Sequence, residues 1–159
     1  MASGRFTRAE MVEVDSAAIE RKMEELSMTQ PEIKRSLKSA VRKSLNVIRS
    51  SVRKGAAAVT SNPEKRRKGV KMVVHKDGSG GQVNIYKGDY MTSLNGKFFS
   101  LRWLELGTKE GIGKNGKKHG ATPAKPFFGQ AVSSSVGKAE ETLSDNILKS
   151  IEKVASKRK

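Results

Sequence analysis

The glycines at positions 111, 113 and 116 have the G-x-G-x-x-G spacing of loops that approach a dinucleotide pyrophosphate. That fingerprint requires a preceding strand, a helix that opens at the third glycine and an acidic residue about twenty positions later. Here the third glycine is followed by the sequence KKHGATP, which begins a helix poorly. We therefore interpret the match as chance, and no phosphate loop of the type G-x-x-x-x-G-K-[ST] occurs.

The titratable side chains suggest no other catalytic constellation. The two histidines, His75 and His119, have no further His or Cys at metal-ligand spacing. Glu105 is a carboxylate among apolar neighbours, and it has no apparent partner acid for acid–base work. We predict that Glu105 accepts hydrogen bonds from nearby backbone or from Thr108. The sequence therefore predicts a protein that is not an enzyme and has no metal or cofactor.

The charge is large and unevenly distributed. The chain of 159 residues has a net charge of +16. Residues 1–30 have a net charge of −2, residues 31–71 of +11 and residues 109–125 of +4. A field of this size attracts polyanions, so it favours nucleic acid or an acidic protein surface as partner. The alternative is a solvated basic face that confers solubility.

Composition limits the class of protein. Hydrophobic residues make up 35% of the chain and 8 residues are aromatic, which predicts one domain, 1–159, with a small aliphatic core. There is no cysteine, which permits a reducing compartment. The first residues lack the apolar segment of a secretory signal, and no run reaches membrane-spanning length. We expect a protein that is made and kept in a cytoplasm.

Two helices are expected in the first third of the chain. Residues 16–28 have Ile19, Met23 and Leu26 on one face. The segment Thr29-Gln30-Pro31-Glu32 has the spacing of a capping box and begins a longer helix. Its apolar residues recur at steps of three and four, and the helix should end near Pro63. The apolar stripe comprises Ile33, Leu37, Val41, Leu45, Ile48, Val52 and Val59, and a basic stripe beside it comprises Lys34, Lys38, Arg42, Arg49 and Arg53.

The remaining elements are shorter. Residues 70–76 and 82–87 alternate in polarity around the glycine-rich sequence DGSGG, which predicts a β-hairpin. The apolar residues of the segment KFFSLRWLEL alternate like those of a strand and also recur like those of a helix, and we favour a short helix that ends at Gly107. Pro126 is expected in the first turn of a single long C-terminal helix that runs through Ala131 and Val154. The predicted fold is α+β: a small antiparallel β-sheet packed by a long helix in the N-terminal half and a long C-terminal helix. Residues 1–14 are expected to form a flexible arm and 109–122 a mobile, basic, glycine-rich loop.

Two segments around this loop resemble a known family. The sequence RWLELGT, followed closely by TPAKPFFGQAV, resembles the small neck or tail-completion proteins of lambdoid-type tailed bacteriophages. The family pattern is an aromatic or apolar run, Glu, an apolar residue, Gly-Thr, a variable loop, and then Pro-Ala-x-Pro-Phe-aliphatic at the start of a C-terminal helix. The matching residues are Trp103, Leu104, Glu105, Leu106, Gly107, Thr108, Pro123, Ala124, Pro126, Phe127 and Phe128. The close motif covers about 30 residues, whereas the order of elements covers most of the chain.

One segment departs from the family pattern. Many members have the sequence Pro-Val-Asp-Thr-Gly-x-Leu after the long helix, where this chain reads TSNPEKRRKGVKM. Any role that this segment has in the family is not carried over to the chain.

The resemblance implies a virion structural protein of the head–tail junction, assembled in the host cytoplasm. It implies a ring of six or twelve copies that joins the connector or adaptor to the tail-terminator or tail-tube proteins, with the DNA channel as a candidate surface. The apolar run and Phe127-Phe128 would then anchor both ends of the loop in the core. No membrane is expected as a partner.

The alternative is a small basic nucleic-acid-binding protein of ribosomal or nucleoid type. The basic cluster of residues 31–71 favours this function. Single-strand binders stack bases on aromatic side chains, and such side chains are scarce beside the basic clusters here. The candidate contacts to DNA or to an acidic partner are Lys65, Arg66, Arg67, Lys68, Lys114, Lys117 and Lys118.

Replacing Lys65, Arg66, Arg67 and Lys68 by serine should flatten the salt dependence of binding to duplex DNA. Each phosphate contact contributes about 0.9 to the slope of log affinity against log salt, because counterions are released. Fluorescence anisotropy with two unrelated duplexes over a salt series measures this slope. An unchanged slope would assign these four side chains to acidic protein neighbours or to solvent.

Overall fold

In a computed structural model the chain has an α+β fold, in which a small antiparallel sheet packs against two long helices. This confirms the predicted fold class. The structure describes residues 9–11, 16–25, 28–63, 69–85, 92–94, 97–99, 101–112 and 116–156. The helices among them are α1 (Ser16–Glu25), α2 (Gln30–Val59), α3 (Leu101–Leu106), α4 (Phe128–Ser133) and α5 (Val136–Ser156). The strands are β1 (Ala9–Met11), β2 (Lys71–Val74), β3 (Gly81–Asn84), β4 (Thr92–Leu94), β5 (Lys97–Phe99), β6 (Gly111–Ile112) and β7 (Lys118–His119).

The contacts of the chain group it into two compact units, where the sequence predicted one domain. The first unit comprises Met1–Ile48, Met72–Val83 and Ser135–Lys159. The second comprises Arg49–Lys71 and Asn84–Ser134.

Helix α2 begins and ends where its sequence predicts. The carboxylate of Glu32 accepts hydrogen bonds from the backbone N–H of Thr29 at 3.0 Å and from its hydroxyl at 2.9 Å. Both bonds fix the first turn at the predicted capping box. The helix ends at Val59, four residues before Pro63, because the residue before a proline disfavours helical backbone. The apolar stripe is buried from Ile33 to Val52.

In the first unit the sheet has the strand order β1-β3-β2. The loop between β2 and β3 turns through Gly78, whose φ is +86°. A Cβ at Gly81 in β3 would lie 2.5 Å from the Leu45 Cδ1 of α2 and would clash with the carbonyl of Val73. The absence of a side chain at Gly81 therefore lets β3 approach both its neighbouring strand and helix α2.

Strand β1 corrects part of the expected flexible arm. Residues 9–11 pair antiparallel with β3, with Ala9 opposite Val83 and Met11 opposite Gly81. The edge of β3 offers unpaired backbone N–H and C=O groups, and a short extended segment satisfies them even without a strong strand pattern. The other residues of the expected arm, 1–8 and 12–14, lie outside the described residues.

Helix α5 packs against α2 within the first unit. The buried hydroxyl of Ser44 donates to the carbonyl of Ala139 at 2.7 Å. Lys43 Nζ donates to Asn146 Oδ1 at 2.7 Å. Leu143 and Ile147 are buried on the same helix, so the contact combines apolar burial with two polar bonds.

The C-terminal segment forms two helices, which corrects the prediction of one. Helix α4 ends at Ser133, and α5 starts at Val136 after a turn at Ser134 and Ser135. The hydroxyl of Ser134 donates to the carbonyl of Ala131 at 3.1 Å, and such local bonds compete with a continuing helix. Pro126 precedes the cap residue Phe127 and does not lie in the first turn.

Strands β4 and β5 correct the expected start of the short helix, because residues 97–99 are extended and pair with residues 92–94. Strands β4 and β5 are antiparallel, with Leu94 opposite Lys97. None of the described helices is both long and apolar enough to cross a membrane.

Alanine at Gly81 should destabilise the protein by about 1–3 kcal/mol, because its methyl group overpacks the contact with Leu45 and Val73. Alanine at Gly137 in α5 is the matched control. Its Cβ meets no atom within 4 Å, so it should stabilise the protein by up to about 1 kcal/mol through helix propensity. Urea unfolding followed by circular dichroism measures both free energies. Equal free energies of unfolding for the two variants would contradict the close approach at β3.

Candidate functional site

Helix α3 presents Glu105 on its inner face. Leu101, Leu104 and Glu105 follow at helical spacing, and Leu101 is almost fully buried. Trp103 and Leu106 lie on the opposite face and are 44% and 60% exposed. The predicted short helix and its end at Gly107 are confirmed. The expectation that the whole apolar run enters the core is wrong, since a helix of this length buries one face.

The carboxylate of Glu105 caps helix α4. Its Oε2 accepts hydrogen bonds from the backbone N–H of Phe127 at 2.7 Å and of Phe128 at 2.9 Å. Phe127 occupies the N-cap position but has no side-chain acceptor to cap the helix itself. Glu105 supplies that acceptor from another element and places a negative charge at the helix N-terminus, where it is favourable. The predicted role of Glu105 as an acceptor for backbone groups is confirmed, with partners more than twenty residues further along the chain.

Gly107 and Thr108 continue the same contact. The backbone N–H of Thr108 donates to the Thr122 carbonyl at 2.8 Å, and that of Thr122 donates back at 3.1 Å. Gly107 has a φ of +71°, and a Cβ there would lie 2.8 Å from both the Ala124 nitrogen and the Thr122 oxygen. The position therefore requires glycine for conformation and for space. We call residues 104–108, together with 122–128, the Glu105 clamp.

The two phenylalanines are the apolar part of the clamp. Phe127 and Phe128 are 5% and 7% exposed, as expected for core anchors. A Cβ at Gly55 of α2 would lie 3.3 Å from the Phe127 oxygen, and Ser51 Oγ donates to the Ala131 carbonyl at 3.0 Å. The small residues Ser51 and Gly55 on α2 thus allow α4 to pack closely against it in the second unit. Pro123, Ala124 and Pro126 are exposed.

The expected mobile loop 109–122 contains a small hairpin. Strands β6 and β7 pair antiparallel, with Gly111 opposite His119 and Ile112 opposite Lys118. The bridge between Thr108 and Thr122 closes its base. The sequence prediction relied on glycine content and like-charge repulsion, whereas the clamp holds the two ends close enough for strands to pair.

The candidate cationic contacts are only partly described. Lys117 and Lys118 are exposed near the hairpin turn. Lys114 and the cluster Lys65, Arg66, Arg67 and Lys68 lie outside the described residues. Their proposed contacts remain predictions.

An open groove lies between the C-terminal part of α2 and α4. Its lining includes the small or apolar residues Gly55, Ala58, Phe127 and Ala131 and the side chains of Lys54 and Lys125. The described lining contains no carboxylate. Sequence reasoning missed this groove, although Ser51, Gly55 and Ala58 are small residues at helical spacing along one side of α2.

The hairpin turn at residues 75–80 holds the other polar cluster. Asp77 Oδ1 accepts from the backbone N–H of Ser79 at 3.0 Å and from its hydroxyl at 2.8 Å. These bonds lower the pKa of Asp77 below its usual range, because they stabilise the charged form. His75 Nδ1 lies 3.3 Å from the same hydroxyl. The cluster organises an exposed turn. Within the described part of the chain, no three His, Cys, Asp or Glu side chains form a metal-binding group.

Comparison with known proteins gives no relative to this chain. No protein-family model, curated protein or solved structure matches it. The function is therefore inferred from the geometry of the second unit.

Alanine at Glu105 should lower the free energy of unfolding by about 3 kcal/mol, because two backbone N–H groups lose a charged acceptor. Glutamine should cost about 1 kcal/mol, since its oxygen still accepts but carries no charge. Alanine at the exposed Glu110 is the matched control and should change stability by less than about 0.5 kcal/mol. Equilibrium urea unfolding measures the series. Equal stabilities for the Glu105 and Glu110 alanine variants would show that the clamp does not hold the fold.

Proposed function

We propose that this chain is a virion structural protein of the head–tail junction of a tailed bacteriophage. In this proposal it is a neck or tail-completion component that forms a ring of six or twelve copies and has no enzymatic activity. The ring joins the connector to the tail, with the DNA channel as a candidate surface. Its neighbours are connector or adaptor, tail-terminator and tail-tube proteins, and it assembles in the host cytoplasm.

The Glu105 clamp is the observation that supports the proposal best. The residues of the family-like motif that form its contacts, Glu105, Gly107, Thr108, Phe127 and Phe128, each have a structural task there. Such a pattern is typical of a shared scaffold, whereas a catalytic motif would place reactive groups beside a substrate cavity. The resemblance in sequence therefore coincides with a fold-determining contact.

Exposed apolar side chains beside the clamp favour a role in assembly. Trp103 and Leu106 are exposed on α3, and Ile112 is 69% exposed on β6. Tryptophan is enriched in the central contacts of protein interfaces. A protein that works as one subunit of a larger particle has a physical reason to keep such residues at its surface.

A nucleic-acid-binding protein is the second candidate function. Helix α2 favours it, because Lys34, Arg35, Arg42 and Lys43 are exposed within three turns. A row of cations along one helix is a common footprint for phosphate binding. Cellular DNA binding by a chain that is absent from phage particles would favour this candidate over the first.

Purified particles should contain six or twelve copies of the chain, following the symmetry expected for a phage neck. Quantitative mass spectrometry against labelled peptides measures the number, with the major tail protein as an internal standard. The isolated chain should be a monomer or weak oligomer in the same buffer. A count of one or two copies per particle, or none, would contradict the ring.

A further inference from the structure

Helix α5 has an acidic stripe with one apolar residue in it. Glu141, Asp145, Leu148 and Glu152 follow at steps of four, three and four, so they share one face of the helix. Leu148 is 56% exposed, and the three carboxylates are exposed beside it. No ion pair neutralises these carboxylates within the described residues.

The α2–α4 groove has the complementary character. Its lining includes Gly55, Ala58, Phe127 and Ala131, and its two charged lining residues are Lys54 and Lys125. Both lysines are exposed, and neither has an ion-pair partner in the described part of the chain. Glycine and alanine in the lining let a helix backbone approach closely.

The dimensions of the two surfaces agree. The α2 side of the groove runs from Ser51 to Val59, a helix length of about 12 Å at 1.5 Å per residue. Glu141 and Leu148 are separated by about 10 Å along α5 on the same scale. A carboxylate and the exposed leucine therefore fit within one groove length.

We propose that the acidic stripe of α5 in one copy docks in the α2–α4 groove of a second copy. Leu148 packs on the apolar residues of the lining, and the carboxylates of Glu141 and Asp145 face Lys54 and Lys125. The inference deepens the proposed function and rests on it, because it names a contact by which the ring forms.

In the proposed ring the contact is heterologous: the stripe of each copy meets the groove of the next copy. Heterologous contacts repeat head to tail, and they close into a ring when the rotation between copies allows it. Exposed ion pairs contribute modestly and are screened by salt. The contact is therefore expected to be weak for isolated chains and to depend on ionic strength.

Disulfide trapping tests the contact directly, because the natural chain has no cysteine. One variant has Ala58→Cys in the groove, and the other has Leu148→Cys on the stripe. Mixing them under mild oxidation should give cross-linked heterodimers in excess of either homodimer. The control pairs Ala58→Cys with Glu140→Cys, since Glu140 is exposed on α5 but lies outside the stripe. Equal cross-linking in both pairs would overturn the proposal.

Charge reversal then tests the pairing of groups. Adding Lys54→Glu to the Ala58→Cys chain should lower the heterodimer yield by about tenfold, because like charges then face each other. Adding Asp145→Lys to the Leu148→Cys chain should restore it. Circular dichroism of each variant checks that it is folded. A heterodimer yield that stays the same after both charge reversals would overturn the pairing.

Different measurements test the docking and the proposed function. If particles contain the chain but the Ala58→Cys and Leu148→Cys variants do not cross-link, the docking is wrong and the function stands. If the pair cross-links but particles lack the chain, self-association stands and the virion role is wrong.

Discussion

The second unit depends on one carboxylate that caps a helix from a distance. Helix α4 begins at aromatic residues, which offer no acceptor for the N–H groups of its first turn. Glu105 accepts two of these bonds through a single oxygen. Without it, the chain would have to bury Phe127 and Phe128 while leaving their backbone donors unsatisfied, which is costly in a partly buried setting. The position of α4 therefore follows from a residue on α3.

Several other features follow from this contact. Gly107 lets the chain turn after Glu105 and lie against residues 122–124, where a side chain would collide with the backbone. The paired threonines then hold the two ends of the following segment together. A short hairpin forms between them, although its glycines and lysines would favour disorder in isolation. The segment between Thr108 and Thr122 is held at both ends, because the clamp that positions α4 also brings these two threonines together.

This arrangement separates residues that determine the fold from residues that can make contacts. Glu105, Gly107, Phe127 and Phe128 are committed to the clamp. Trp103 and Leu106 on the outer face of α3, together with the lysines of the groove and the hairpin, remain at the surface. Surface residues of this kind can change with a partner without disturbing the scaffold. The proposed docking assigns a partner to the two lysines of the groove, because the acidic stripe of α5 supplies the opposite charge.

The sequence predicted the elements whose signals are local. The capping box at Thr29, the apolar stripe from Ile33 to Val52, the hairpin around Gly78 and the end of α3 at Gly107 depend on neighbours within a few residues, so they could be read from spacing. The same reasoning predicted one C-terminal helix where the structure has two. The apolar spacing continues across Ser134 and Ser135, but the helix is interrupted there and the Ser134 hydroxyl binds the Ala131 carbonyl. Sequence reasoning also missed β1, because residues 9–11 become a strand by pairing with the edge of β3 and have no strong strand pattern of their own.

By itself the sequence determined the α+β class and the two long helices, because caps and periodicity act over short ranges, whereas the residues of the clamp motif were singled out by a resemblance to a known family. Tertiary structure decided which groups those motif residues bind. Glu105 reaches Phe127 and Phe128 across more than twenty residues, and the groove on α2 exists because Gly55 and Ser51 seat α4 closely. Such contacts depend on the three-dimensional positions of residues far apart in the chain, which no local spacing records.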